Sequence, residues 1–129
     1  EIVLVTGVQT CALPIFRIDP DSDPRIVVRV LLGDVSRIDL VDSLLGAVPV
    51  GQGSKEDFNC VSWIKDALLY LYQVGVISRG DISDWESVKS TALTYVNEKK
   101  QQGRFESGWE GDTSRVATFD RTLGREVYP

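Results

Sequence analysis

The chain contains no histidine. No His-based catalytic dyad, proton shuttle or His-containing metal site can be completed from its own residues. Cysteine is nearly as scarce, with Cys11 and Cys60 the only two. No apolar run approaches the roughly 20 residues that a membrane helix needs, so no membrane partner is expected. Basic residues do not cluster, and 14 Lys and Arg face 19 Asp and Glu for a net charge of −5. That balance argues against a phosphate backbone, so no nucleic-acid partner is expected either. Nothing in the residue types calls for a cofactor or a metal.

Residues 5–15, "VTGVQTCALPI", resemble the in-frame translation of a sequencing-library adapter. The resemblance implies that 1–16 is a non-native segment and that the chain is a gene fragment whose true start lies upstream. "EIVLV" and "CALPIF" are then neither a signal peptide nor part of the fold, although "IVLV" is strand-prone and can pair with Ile26–Leu32. Glu1 is the only charged residue before Arg17, so the acidic balance belongs to the remainder. Cys60 becomes the one native thiol, which excludes an internal disulfide and leans towards a reducing, cytoplasmic compartment.

Residues 17–129 suffice for one small domain with a modest core. Arg17–Pro24, "RIDPDSDP", reads as a strand end entering a turn, because Pro20 and Pro24 forbid helix. "IVVRVLL", Ile26–Leu32, is short, β-branched and apolar, which predicts a strand buried on both faces and ended by Gly33-Asp34. Ser36 with Asp39 reads as a capping box for a short helix whose apolar face is Ile38, Val41, Leu44 and Leu45, with Gly46 at its end. Glycines 51 and 53 mark a loop before the next helix, Asn59–Val74.

Asn59 is a good N-cap for that helix and Gly75 a good terminator. Its polar residues occupy only a narrow stripe, which predicts a mostly buried helix at the centre of the domain. A last helix, from about Asp84 to Gln102, is expected to be capped by Ser83 and Glu86 and to pack through Trp85, Val88, Ala92, Tyr95 and Val96. Lys99 and Lys100 suit its C-terminal dipole. Residues 103–129, polar with scattered aromatics, read as an extended tail packing on the domain. The expected architecture is therefore α+β: 17–102 a single small domain, with a buried strand, a central buried helix and a packed amphipathic helix, and the N-terminal part of its fold missing.

"FNCVSW" carries the chemistry. Cys60 sits in the first turn of a buried helix behind the Asn59 cap, where free N–H groups and the positive dipole end favour a thiolate. The bland alternative is a small buried hydrophobe. Other motifs are weaker. Asp19, Asp21 and Asp23 begin like an EF-hand loop, but Pro24 occupies the Gly position and Val30 the bidentate Glu position, leaving a solvated turn. "GAVPVGQGSK" lacks the lysine of a phosphate loop at Gln52. "RGD" at 79–81 is adequately explained as a turn, and the tryptophans as packing anchors.

"VRVLLGDV", "VPV", "DFNCVSWIKDAL", "DWESVKSTALTYVNEKKQQGRFE" and "TFDRTLGREVYP", in that order, resemble a family of uncharacterised fungal proteins. Asn59 and Cys60 also resemble the Asn-Cys helix start of the circularly permuted papain-like group, which includes NlpC-type peptidases and lecithin:retinol acyltransferases. That resemblance implies a nucleophilic Cys60 with a His base on an upstream strand. Two functions follow. The chain is a non-catalytic interaction or scaffold domain, using its aromatic tail or Gly-rich loop to hold a protein or peptide partner. Alternatively, it is a truncated thiol hydrolase or acyltransferase whose His was lost upstream. The absence of a base favours the first.

Overall fold

The computed structural model describes residues 2–6, 21, 26–50 and 59–129. The first strand, β1 (Ile2–Thr6), pairs antiparallel with β2 (Val28–Val35). Helices α1 (Ile38–Gly46) and α2 (Cys60–Gln73) follow, then the two-residue strand β3 (Ile77–Ser78) and the long helix α3 (Trp85–Gln101). Strands β4 (Ala117–Asp120) and β5 (Arg125–Tyr128) close the chain. The sheet order is β1-β2-β4-β5, with β3 pairing the C-terminal end of β2. Because β2–β4 is parallel and β1–β2 and β4–β5 antiparallel, the sheet is mixed. Among the described residues, three helices with this one sheet make a small α+β domain.

The sequence places a buried strand correctly, and β2 is the hub of the molecule. Val28, Val30 and Leu32 alternate along it, so they share one face, and all three are fully excluded from solvent. Burying each contributes roughly 1.5–3 kcal/mol. Val30 and Leu32 meet Leu68 and Leu71 of α2 and Trp85, Val88 and Ala92 of α3, with Val41, Leu44 and Leu45 of α1 packed at the margin. Val28 joins a second cluster with Tyr95 and Ala117. On the alternate parity, Arg29 stands opposite Thr118 and donates from Nε to its Oγ1 at 3.1 Å.

Several local expectations are corrected. The strand does not end at Gly33-Asp34 but continues to Val35, because Asp34 and Val35 pair with Ser78 and Ile77. A Cβ on Gly33 would lie 2.4 Å from the Arg79 carbonyl oxygen, so this glycine permits a close backbone approach rather than a turn. Ser36 does not cap α1. Its hydroxyl lies 3.2 and 3.1 Å from the carbonyls of Gly75 and Val76, and Arg37 is the N-cap, with no side-chain cap bond to the helix backbone, its guanidinium donating to the Asp39 carboxylate instead. Ile38 is 80% exposed and belongs to no core face.

Helix α2 buries only Ala67, Leu68 and Leu71, all in its C-terminal half, so the centre of the domain is β2 rather than this helix. Asp84, not Ser83, caps α3, its carboxylate accepting from the Ser87 N–H at 3.0 Å. The expected row Trp85, Val88, Ala92 and Tyr95 is buried, with Val96 packed against the second cluster. The C-terminal segment read as an extended tail supplies β4 and β5. Ala117 and Thr118 are buried because β4 lies directly beside β2. The loop glycines 51 and 53 and the turn at 17–24, apart from Asp21, lie outside the described residues.

Candidate functional site

Local sequence alone builds the turn that presents Cys60. Asn59 is extended, at φ −146° and ψ 175°, and its Oδ1 accepts from the N–H groups of Val61 at 2.9 Å and Ser62 at 3.0 Å. The Ser62 hydroxyl accepts reciprocally from the Asn59 N–H at 3.0 Å and lies 2.9 Å from the Asn59 carbonyl. This is a full capping box, worth about 1 kcal/mol. Cys60 is thereby fixed at the first helical position, half-buried. Trp63, one turn on, encloses an indole Nε1 that has no hydrogen-bond partner among the described residues.

The same cap limits the chemistry. An oxyanion forming beside a thiol at a helix start is stabilised by first-turn N–H donors. Those of Val61 and Ser62 already serve Asn59, so an incoming oxyanion could use these two only by displacing the cap. Sequence reasoning located the cap and the thiol together; it did not anticipate that the cap consumes these two donors.

A second polar cluster was not anticipated. Lys99 lies in the buried row of α3, four residues beyond Tyr95, with its side chain 3% exposed. It forms an ion pair with Glu126 of β5 and donates to Gln102 Oε1 at 3.0 Å. The Tyr95 hydroxyl donates to Glu126 Oε2 at 2.7 Å and lies 3.2 Å from the Tyr128 carbonyl. Burial raises the Glu126 carboxyl pKa, but the bonds from Lys99 and Tyr95 outweigh it and hold the group below its ordinary value. Burial, reinforced by the Glu126 contact, pushes the Tyr95 phenol far above its usual range. The sequence carries a partial signal, because Lys99 falls four residues beyond Tyr95 on the apolar stripe, but its inward turn and its partner come from the tertiary structure.

The weaker motifs resolve into structure. Asp21 is held by the Val116 N–H at 2.9 Å and by Arg29 at 3.2 Å, while its fellows Asp19 and Asp23 lie outside the described residues. Among the described residues no group of three metal-ligating side chains assembles. Arg79–Asp81 is a tight turn, with Arg79 and Gly80 at φ 53° and 117° and Asp81 accepting from the Ser83 N–H at 2.9 Å. A Cβ on Gly80 would meet the Leu32 carbonyl at 2.1 Å, so the tripeptide is shaped by packing on β2. No helix among the described residues is long and apolar enough to cross a membrane.

The model of one protein family, described as a family of unknown function, DUF6914, matches residues 16–128. The chain belongs to DUF6914. The match begins at residue 16, so β1 lies outside it and every other element lies within. Both the Asn59-Cys60 turn and the Lys99–Glu126 cluster are therefore DUF6914 territory. No curated protein and no solved structure matches the chain.

Proposed function

We propose that this DUF6914 chain is a non-catalytic interaction domain in which Asn59 and Cys60 form a structural helix start. The observation that carries the reading is the occupied N-terminus of α2, where Asn59 already holds two of the first-turn amides, those of Val61 and Ser62. A chain of 129 residues with no histidine supplies no imidazole base to the thiol. The C-terminal half offers contact surface, with Phe105, Leu123 and Val127 exposed. Acidic overall and without a basic patch, the domain suits a protein or peptide partner rather than nucleic acid. Residues 5–15 fit translated adapter sequence, and they lie before the family match, which covers 16–128.

One observation favours a second reading. Cys60 stands half-buried at a helix N-terminus, as the nucleophile of a papain-like thiol hydrolase or acyltransferase would, with its base supplied from an upstream segment. Alkylation separates the two. In a Cys11→Ser variant of the full chain, Cys60 should react with iodoacetamide at pH 7 no faster folded than in urea. A folded rate tenfold or more above the unfolded one would overturn the interaction reading in favour of the thiol enzyme.

A further inference from the structure

β2 and β4 are neighbouring strands that run parallel, so their carboxyl ends lie on the same side of the sheet. In open sheets with parallel strands, ligands bind in the crevice beyond such ends. Here two turns meet there. Arg121, the residue after β4, donates its backbone N–H to the Leu31 carbonyl at 3.0 Å. The turn Arg79–Asp81 lies over the Leu32 carbonyl, which a Cβ on Gly80 would approach to 2.1 Å; the same Cβ would stand 3.4 Å from the Thr122 methyl. Between the turns opens a cavity of about 550 Å³, lined by Arg79, Gly80, Asp81, Arg121, Thr122 and Leu123. That volume suits a small ligand.

The lining inverts the charge of the molecule. The chain carries a net −5, yet two guanidinium groups line this one cavity, and the acid among its lining residues is already engaged. Asp81 turns its carboxylate to the N–H and hydroxyl of Ser83. Arg121 is anchored, with Nη1 donating to the Asp81 carbonyl and Nη2 to Ser87 Oγ at 3.0 Å. Those bonds fix the guanidinium but use only part of its five-donor fork. Arg79 Nε stands 3.5 Å from Asp34 Oδ2, and the two side chains are 80% and 61% exposed. A pair so open to water is worth little, so a ligand can replace it at small cost.

We infer that this crevice binds the phosphate group of a small phosphomonoester between Arg79 and Arg121. A carboxylate is satisfied by one guanidinium fork, whereas a phosphate dianion offers three oxygens and a second charge to a pair of them. Two arginines at one cavity are not the basic stripe that a nucleic-acid backbone needs. The site goes beyond the interaction reading and does not involve Cys60, so the alkylation result and this one fail separately.

The experiment titrates the full chain, labelled with nitrogen-15, with β-glycerophosphate at constant ionic strength and follows the backbone amide shifts. At pH 7 a phosphomonoester is mostly dianionic. The amides of Gly80, Arg121, Thr122 and Leu123 should move along one saturating curve, with a Kd of about 1 mM or tighter. Glycerol should move none of them, and acetate should bind at least about tenfold more weakly. Arg79→Gln should keep the circular dichroism spectrum and weaken the phosphomonoester about tenfold or more, through the loss of hydrogen bonds to a charged group. Arg121 is left in place because it ties the turn to α3. Shifts that do not saturate or that spread over the whole surface would overturn the proposal, and so would acetate binding as tightly as the phosphomonoester. A folded Arg79→Gln chain that binds as before would overturn it too. The comparisons on the unsubstituted chain need no variant to fold.

Discussion

Glu126 shows how one side chain sets the pH response. Burial works against its charge, but Lys99 and Tyr95 hold its pKa below the ordinary 4.5. An unfolded chain therefore binds the proton at higher pH than the folded one. The stabilisation is complete above the unfolded value and is lost as pH falls through the lower folded value. Tyr95 acts at the other end. Its folded phenol resists ionisation while an unfolded tyrosine ionises near 10.0, so stability falls as pH rises past that point. Thermal midpoints measured from pH 2 to 11 should show Glu126→Gln flattening the acid limb and Tyr95→Phe the alkaline limb. At pH 7 Glu126→Gln should cost more than Lys99→Met, because it strands an ammonium that is 3% exposed, whereas Glu126 at 36% keeps solvent and Tyr95. The upper bound is the about 3–5 kcal/mol for breaking a fully buried pair. The reverse order would show that Lys99 is not held by this charge.

At this scale the sequence was read well where partners are local. Asn59 caps α2 because its acceptors' targets, Val61 and Ser62, are two and three residues away. Ser36 looked equally good as a cap, but the carbonyls it meets are those of Gly75 and Val76, about forty residues along the chain. Ser83 lost its capping role to Asp84 because its own N–H and hydroxyl serve Asp81.

Among the elements, β2 and β3 meet closely at Gly33. On Gly33 a Cβ would approach the carbonyl oxygens of Arg79 and Ser78 to 2.4 and 2.8 Å, and backbone cannot swing aside as a flexible side chain would. Gly33→Ala should therefore force β3 away from β2 and cost about 1–3 kcal/mol or more. Gly46→Ala is the matched control. It is the last residue of α1, it has no atom within 4 Å of an added Cβ, and it is not among the positive-φ glycines. There alanine should gain up to about 1 kcal/mol of helix propensity. Urea midpoints of the two variants check both signs. Equal effects would mean that glycine at position 33 is not required by the β3 approach. From the sequence, Gly33-Asp34 looked like a stop because glycine followed by aspartate usually marks a turn; a partner strand reversed that meaning.

Across the whole molecule, stability centres on β2 and the helices laid against it. Leu32→Ala, at a fully buried site contacting the main cluster, should cost about 2–5 kcal/mol. Ile38→Ala, at a position the sequence assigned to the core but which is 80% exposed, should stay within about 0.5 kcal/mol. Chemical denaturation of the two compares the predicted core with the observed one directly.

The sequence by itself determined what depends on neighbours along the chain. It set the acidic charge, the lack of an imidazole, the β-branched strand read at Ile26–Leu32, of which Val28–Leu32 lies in β2, the Asn59 cap and the apolar stripe of α3. Those features follow from side-chain chemistry and from periods of two and 3.6 residues, which a linear string displays. Only the tertiary structure decided that Ala117–Asp120 lies parallel to β2, that β2 outlasts its glycine, and that Lys99 turns inward to meet Glu126. Each joins residues far apart in the chain. A four-residue strand such as "ATFD" carries too little pattern to declare itself, since its hydrogen bonds and its burial exist only once the partner strand is in place.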